Sequence, residues 1–163
     1  MGLLARIGGE EMSAMKAALL GAGIATEVGC PYCKGAAELV GGYVIYPHIP
    51  SLYGQKFWQC APCGAYVGCH RPNVGYGDGT KPLGRLANAA LRKAKSATHA
   101  AFDGLWEEGV FANRKKGYEW LAEQVGLPKG AAHIGEFDED QCAVAIKACQ
   151  EKWRDVYANE VKK

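Results

Sequence analysis

Apolar residues in the second half of the chain recur at steps of three and four, the spacing that places them on one face of an α-helix. The longest such stripe predicts a helix from about residue 88 to residue 107. Its members are Leu91, Ala94, Thr98, Phe102, Leu105 and Trp106. Two more helices are predicted to start at the capping residues Asn113 and Asp138 and to end at Gly126 and about Tyr157.

The pattern in the first half is different, with short runs typical of β-strands at residues 37–40, 43–46, 55–59 and 65–67. Gly41 and Gly42 lie between the first two runs and predict a tight hairpin, because glycine readily adopts positive φ angles. Near the N-terminus, Glu10 to Leu20 has near-helical apolar spacing, and Gly21 to Gly23 would end that helix.

Two Cys-x-x-Cys pairs flank these strands: Cys30 with Cys33 and Cys60 with Cys63, with 26 residues between the pairs. Each pair offers two thiolates from one tight turn, and two such turns complete a tetrahedron around Zn²⁺. Glycine follows closely after each pair, as in the turns of zinc ribbons. The sequence therefore predicts a structural zinc site with these four cysteines as its ligands.

The first pair lies in CPYC, which is also the dithiol sequence of glutaredoxin-like proteins. A redox site of that kind needs a helix directly after the cysteines, and that helix would have to pass through Gly35. The second pair also favours zinc over redox chemistry. Cys69 or His70 could replace one ligand or serve a second ion, but the simpler interpretation is that Cys69 packs against the ribbon while His70 lies in the loop that follows.

These elements predict an α+β fold, with N-terminal zinc-ribbon β-hairpins followed by a three-helix module. We expect an N-terminal helical arm over residues 1–27, a zinc-ribbon domain over 28–80 and a helical module over 81–163 packed on the ribbon. Cys142 and Cys149 are seven residues apart on one face of the last predicted helix, so both should be buried as small apolar side chains.

Charge is unevenly distributed along the chain, although the net value is only +2. Residues 81–116 carry eight Lys/Arg and three Asp/Glu, whereas residues 117–163 carry six and nine. A basic middle segment predicts a positive surface of the kind that binds phosphate. The alternative is a solvated helix face that has no partner.

A nucleic-acid-binding surface would combine basic side chains for phosphates with an aromatic ring for stacking on unpaired bases. The candidate residues are Lys56, Trp58, Lys81, Arg85, Arg92, Lys93 and Lys95. Because adjacent strand residues face opposite ways, at least one of Phe57 and Trp58 should belong to the core.

Arg92, Ser96, His99 and Asp103 project from one edge of the first long predicted helix. With His70, His99 and Asp103 form a candidate functional surface, which would bind phosphate or act as an acid/base pair. The alternative is structural, with Asp103 orienting a histidine that seats the helix. We assign no catalytic residue, since four thiolates leave the metal no open position and magnesium-dependent nucleases usually need more carboxylates.

Several segments resemble the zinc-finger-containing domain family of phage and prophage proteins. They are CPYC, FWQCAPCGAYVGCH and KPLGRLANAALRKAKSATHAAFDGLW, with a continuation in RKKGYEWLAEQVGLPKGAAHIGEFDEDQC. The resemblance covers approximately residues 28–150 and implies Cys30, Cys33, Cys60 and Cys63 as zinc ligands. It also places His70 and His99 in the family signature without giving them a role, and it implies a phage-related origin.

Three functions therefore stay open, in this order: binding of DNA or RNA, binding of a host or phage protein, and metal-dependent cleavage of nucleic acid. An enzyme is the less favoured interpretation. An odd cysteine number, seven, with paired spacing indicates a reducing compartment. No apolar stretch reaches the roughly 18 residues that a membrane span needs, so we expect a cytoplasmic protein, in the host cytoplasm if it is phage-encoded.

Overall fold

A computed structural model describes Ala18, Ala25 and residues 27–162 of the chain. The predicted helix Glu10–Leu20 and the arm of residues 1–27 lie outside the described residues, apart from Ala18, Ala25 and Glu27. The chain forms two compact units that divide between Leu86 and Ala87. We call them the sheet unit and the helical unit.

The sheet unit contains a three-stranded antiparallel sheet of β1 (Glu38–Gly41), β2 (Lys56–Cys60) and β3 (Ala65–Gly68), in the order β1-β2-β3. Val40 pairs with Phe57, and Phe57 in turn pairs with Gly68. Side chains alternate between the two faces of a sheet. Phe57 and Trp58 therefore face opposite ways, and the tight turn between Cys60 and Ala65 makes β2 and β3 a hairpin.

The predicted hairpin at Gly41-Gly42 is wrong. The chain leaves β1 in a four-residue helix, α1 (Gly42–Ile45), and returns through a 3₁₀ turn, Pro50–Leu52, before β2 begins. Gly41 has a φ of −78°, which is not the left-handed region. Glycine is needed at position 42 for close packing, because a methyl group there would overlap the carbonyl oxygen of Leu52.

The core of the sheet unit surrounds the cysteines on one face of the sheet. Two of its buried side chains, Trp58 and Leu86, are large, and the others are alanine or cysteine. On the opposite face, Tyr46 makes edge contacts with Phe57 and Tyr66. The apolar cluster next to the candidate metal ligands is therefore small.

The helical unit consists of α2 (Ala89–Glu107), α3 (Arg114–Val125) and α4 (Glu139–Glu160), with a 3₁₀ turn, Ile134–Glu136, before the last. The predicted caps at Asn113 and Asp138 form: Asn113 accepts from the N–H of Lys116, and Asp138 makes a full capping box with Gln141. Asn88, near which the first helix was predicted to begin, also caps it by accepting from the N–H of Leu91. Gly126 ends α3 in the left-handed conformation, at a φ of 75°. The three predicted helices are thus confirmed, and together with the preceding sheet they confirm the α+β fold class.

Large apolar side chains fill the core of the helical unit. Its fully buried members include Phe102, Leu105, Leu121, Ile134 and Phe137. Gly117 lets α3 approach α2 closely, since a methyl group there would lie 3.0 Å from the Phe102 ring. Cys142 and Cys149 are also buried in this core, as small apolar side chains.

Candidate metal centre

The first cysteine pair lies in a tight turn that hydrogen bonds hold closed. The N–H of Cys30 donates to the carbonyl of Gly35 at 2.8 Å, and the N–H of Lys34 donates to the carbonyl of Cys30 at 3.0 Å. Lys34 adopts a left-handed φ of 64°, and the N–H of Gly35 then points at Cys33 Sγ, 3.4 Å away. The residues after Cys33 continue into an antiparallel bridge between Gly29 and Ala36 and form no helix. A dithiol redox site would need that helix.

The second pair occupies the hairpin turn between two strands. Cys60 is the last residue of β2, and Cys63 precedes β3 by two positions. Gly64 has a φ of 62°, and its N–H donates to the carbonyl of Ala61 at 3.2 Å. Both turns thus place a left-handed residue directly after their second cysteine.

The two turns bring four sulfur atoms together. The Sγ atoms of Cys30, Cys33, Cys60 and Cys63 all lie within 4.8 Å of one another, and Cys33 and Cys60 are 3.6 Å apart. A tetrahedral zinc site with Zn–S bonds of about 2.3 Å has sulfur atoms about 3.8 Å apart, so the cluster has the size that Zn²⁺ requires. The donor set also fits, since four thiolates favour a soft divalent ion and leave no position for water.

The thiols of this cluster are hard to ionise together. Burial acts to raise the pKa of Cys30, but N–H groups of Cys33 and Tyr32 donate to its sulfur and bring the pKa down to about 7. Hydrogen bonding with Cys33, together with burial, raises the pKa of Cys63 to about 12. Four adjacent thiolates therefore need a cation, and zinc binding would release protons from the cluster.

A small antiparallel sheet with two such cysteine turns defines a zinc ribbon with a four-thiolate site. The chain belongs to the zinc-finger-containing domain family, whose model matches residues 26–152. No curated protein and no solved structure matches the chain. The family and the four-cysteine cluster together give the protein a zinc site, which Cys30, Cys33, Cys60 and Cys63 would hold. Bound there, zinc would link the two turns.

Cys69 and His70 lie outside this cluster and have other contacts. Cys69 packs against the core of the sheet unit, its Sγ lies 3.6 Å from the Thr80 carbonyl, and burial raises its pKa to about 11. His70 stacks on Tyr76. Among the residues that the structure describes, the four-cysteine cluster is the one group of three or more His, Cys, Asp or Glu side chains arranged to hold a metal ion.

The prediction that Trp58 stacks on unpaired bases is wrong, because its ring is buried. Only 6% of its surface is exposed, and its indole N–H donates to the carbonyl of Thr80 at 2.7 Å. Phe57 is buried on the other face of β2. Both aromatic residues of this strand are therefore core residues, whereas the neighbouring Lys56 is exposed.

The other basic candidates divide between the two units. In the sheet unit, Lys81 lies 5.7 Å from the centre of the Tyr76 ring, and Arg85 is half-buried. In the helical unit, Lys93 is exposed, Lys95 donates to the Gly135 carbonyl at 2.6 Å, and Arg92 donates to the Ala87 carbonyl. Lys95 and Arg92 thus also have structural contacts.

The predicted pair of His99 and Asp103 forms on α2. His99 Nδ1 lies 3.7 Å from Asp103 Oδ2, and the indole N–H of Trp106 donates to the other carboxylate oxygen at 3.3 Å. Asp103 therefore contacts two side chains of its own helix. His70 belongs to the sheet unit, so the three residues of the predicted functional surface come from both units.

Three features of the sheet unit are not evident from the sequence: the left-handed Lys34, the hydrogen bonds from the N–H and hydroxyl of Thr80 to Asp78, and the stacking of His70 on Tyr76. Gly75, Gly77 and Gly79 indicate a turning chain. They do not show where the ring of Tyr76 lies.

Within the described ranges, none of the helices combines the length and the hydropathy that a membrane span requires.

Proposed function

We propose that this zinc-ribbon protein binds nucleic acid through basic side chains, while its zinc has a structural role. The observation that carries the proposal is the excess of positive charge between residues 56 and 116, which contain ten Lys/Arg and four Asp/Glu. Phosphate groups are the general partners of such a surface.

The basic segment of the sheet unit contains a single carboxylate, which forms hydrogen bonds within its own loop. Asp78 is the one carboxylate between residues 56 and 85, and it accepts from the Thr80 hydroxyl at 2.6 Å and from the Thr80 N–H at 3.1 Å. Hydrogen bonding from Thr80 lowers the pKa of Asp78, so the group is ionised but directed into its own loop. The charge of Lys56 also lowers the pKa of Asp78, so Lys56 has one nearby carboxylate, whose hydrogen bonds come from Thr80.

In the helical unit, Lys93 is the strongest candidate for a phosphate contact. Its side chain is exposed in the first turns of α2, and it forms no ion pair within the described part of the chain. Asp103, on the same helix, already contacts His99 and Trp106. Lys93 can therefore meet a phosphate without breaking a contact that stabilises the fold.

The test is a binding titration of the zinc-loaded chain with dye-labelled single-stranded DNA, duplex DNA and RNA at two salt concentrations. We expect the logarithm of the affinity to fall linearly with the logarithm of salt concentration. Changing Lys56→Glu and Lys93→Glu together should weaken binding and reduce the salt slope by about 1.8 for duplex DNA and about 1.4 for a single strand.

Lys147→Glu is the matched control, because Lys147 is an exposed lysine of α4 in the acidic C-terminal part. It should leave the affinity unchanged. Absence of binding to all three nucleic acids, or an equal effect of the control, would refute the proposal. Metal-dependent cleavage of the probes would instead favour the nuclease that the sequence left as a third interpretation.

Exposed apolar side chains favour protein binding as a second candidate function. Tyr43 and Val44 of α1 are exposed, and Tyr43 contacts the exposed Tyr53 with ring centres 6.4 Å apart. Exposed tyrosine is common at protein interfaces. If Val44→Asp abolishes stoichiometric capture of a single protein from lysate while DNA and RNA binding is absent, this function replaces the first.

A phage or prophage origin and a cytoplasmic location fit either function, and both stay predictions. For a phage-encoded chain, the nucleic acid or protein partner would be of host or phage origin. Expression of a tagged copy in a bacterial host, followed by fractionation, tests the location directly.

A further inference from the structure

The loop after β3 contains a parallel pair of aromatic rings. His70 and Tyr76 stack with ring centres 4.2 Å apart and planes only 6° from parallel. The rings of Tyr46, Phe57 and Tyr66, in the same unit, meet edge to face at 67° to 86°. The His70–Tyr76 pair therefore forms a flat stack, unlike these three edge-to-face contacts.

Backbone contacts fix Tyr76 at the end of a closed turn. The side-chain oxygen of Asn73 accepts from the N–H of Gly75 at 2.8 Å and from the N–H of Tyr76 at 3.0 Å. Asn73 and Gly77 also exchange two backbone hydrogen bonds of 3.1 and 2.9 Å. The backbone that carries the Tyr76 ring is thus held in place before any ligand arrives, which lowers the entropy cost that binding must offset.

His70 is tied to the zinc ribbon on the other side of the stack. Its N–H donates to the carbonyl of Lys81 at 2.8 Å, and its neighbour Cys69 pairs with Pro82 directly after β3. Partial burial, helped by the charge of Lys81, lowers the pKa of His70, so its ring is neutral at pH 7. A neutral imidazole stacks without carrying a counter-ion.

The stack is accessible and has basic neighbours. Tyr76 has 44% of its surface exposed although one ring contacts it face to face. The ammonium of Lys81 lies 5.7 Å from the Tyr76 ring centre, and Arg71, next to His70 in sequence, is exposed. A planar ligand that carries negative charge at its edge would complement this arrangement.

We propose that the His70–Tyr76 pair binds an unpaired base of a single-stranded nucleic acid, with Lys81 contacting the adjoining phosphate. This inference rests on the proposed nucleic-acid binding and narrows it to single strands. Every base presents a π-face to an aromatic side chain, so the site tolerates any sequence. In a duplex, both faces of an internal base are covered by neighbouring bases, so a duplex cannot occupy the site without unstacking.

The experiment compares a dye-labelled oligothymidine with a blunt duplex of the same length, using the zinc-loaded full chain. Tyr76→Ala should weaken binding of the oligothymidine by about 5- to 100-fold and should barely change duplex binding. Tyr76→Phe keeps the ring and should stay within about twofold of wild type. Lys81→Ala should reduce the salt slope by about 0.7, the value for one phosphate contact on a single strand.

Tyr157→Ala is the matched control, because Tyr157 is also exposed, at 57%, and also stacks on a neighbour, Trp153, in the helical unit. It should not change the affinity. Equal effects of Tyr76→Ala and Tyr157→Ala, or equal losses for single strand and duplex, would overturn the stacking site while leaving nucleic-acid binding intact. A wild-type chain that binds neither probe would overturn the stacking site, and absence of binding to RNA as well would overturn the proposed function.

A second measurement does not depend on any variant. In wild-type protein, the ring proton signals of His70 should shift when oligothymidine is added, because a stacked base changes their magnetic environment. The signals of His133, which neighbours Tyr118 in the helical unit, should stay in place. Unshifted His70 signals at saturation would overturn the site, even if Tyr76→Ala lost zinc and could not be assayed.

Discussion

The sheet unit and the helical unit differ in what can hold each of them folded. Around the cysteines, the sheet unit buries two large apolar side chains, Trp58 and Leu86. The helical unit fully buries three aliphatic side chains and two phenylalanines in one core. Burial of one such side chain contributes about 1.5–3 kcal/mol, so the helical unit has more apolar burial to stabilise it. We therefore expect the sheet unit, which buries Phe57 on its other face, to depend on zinc for its stability.

Removal of zinc should produce the largest effect and should affect one unit only. Apparent zinc-binding free energies of about 10–16 kcal/mol are typical of four-ligand structural sites, which exceeds the stability of a small domain. We expect a chelator, or Cys60→Ser, to unfold the sheet unit. The indole N–H signal of Trp58 reports on that unit, and the signal of Trp106 reports on the helical unit.

Cys69→Ser is the control for this experiment, because Cys69 lies outside the sulfur cluster. It should retain one equivalent of zinc and the Trp58 signal. Unchanged zinc content in Cys60→Ser would mean that Cys60 is not a required ligand. Loss of the Trp106 signal together with that of Trp58 would mean that the helical unit also depends on zinc.

Phe102→Ala should give the converse result. Phe102 is fully buried between α2 and α3, and its removal should destabilise the helical unit by about 3–5 kcal/mol without a change in zinc content. Chemical denaturation followed by circular dichroism at 222 nm measures the loss. Val144→Ala, at an exposed position of α4, should cost less than about 0.5 kcal/mol. A similar cost for both substitutions would refute the assigned core.

Alkaline pH should weaken the helical unit through Cys149. Burial raises the pKa of this thiol to about 11 from a usual value of 9.0, so the unfolded chain loses the proton first as pH rises. The contribution of the protonated Cys149 thiol to the free energy of unfolding is fully present below pH 9. It declines between about pH 9 and pH 11, with a slope of at most about 1.4 kcal/mol per pH unit.

Unfolding free energies at pH 8, 9 and 10 test the role of this thiol. Cys149→Ala should be less stable than wild type at pH 8, because a buried atom is lost, but its stability should depend less steeply on pH above 9. Identical slopes in the two proteins would mean that Cys149 does not titrate in this range or that its burial is wrong.

The smallest effect compares the two cysteine turns. Gly64 and Lys34 have nearly equal φ values, 62° and 64°, although only glycine adopts this region without strain. Gly64→Ala should destabilise the zinc-loaded sheet unit by about 1–2 kcal/mol. Lys34→Gly should change stability by less than about 1 kcal/mol, because it relieves strain but loses the contact of Lys34 Nζ with the Pro31 carbonyl.

Thermal unfolding of the zinc-loaded protein, observed through Trp58, measures both changes. Lys34→Ala serves as the control, since it removes the lysine contact and keeps a side chain at the strained position. If Gly64→Ala is neutral, the left-handed turn is not needed for folding of the second cysteine pair.

Local patterns were sufficient where neighbours in sequence are also neighbours in space. The caps at Asn88, Asn113 and Asp138 depend on residues three positions away, and the starts of the helices that follow them were predicted within one residue. The spacing within each Cys-x-x-Cys pair likewise indicates a turn with two donors. The hairpin prediction at Gly41-Gly42 failed because the residue that packs closely against Gly42, Leu52, is ten residues away along the chain.

Short-range spacing and residue chemistry were sufficient to predict the fold class, the zinc site and the three helices. Contacts between distant segments of the chain control which aromatic rings are exposed. Trp58, the ring chosen from sequence, is buried under Thr80, while Tyr76 in the following loop stacks on His70 and is exposed. Alternation along a strand shows that two neighbours face opposite ways, but only the packing of distant segments shows which face is covered.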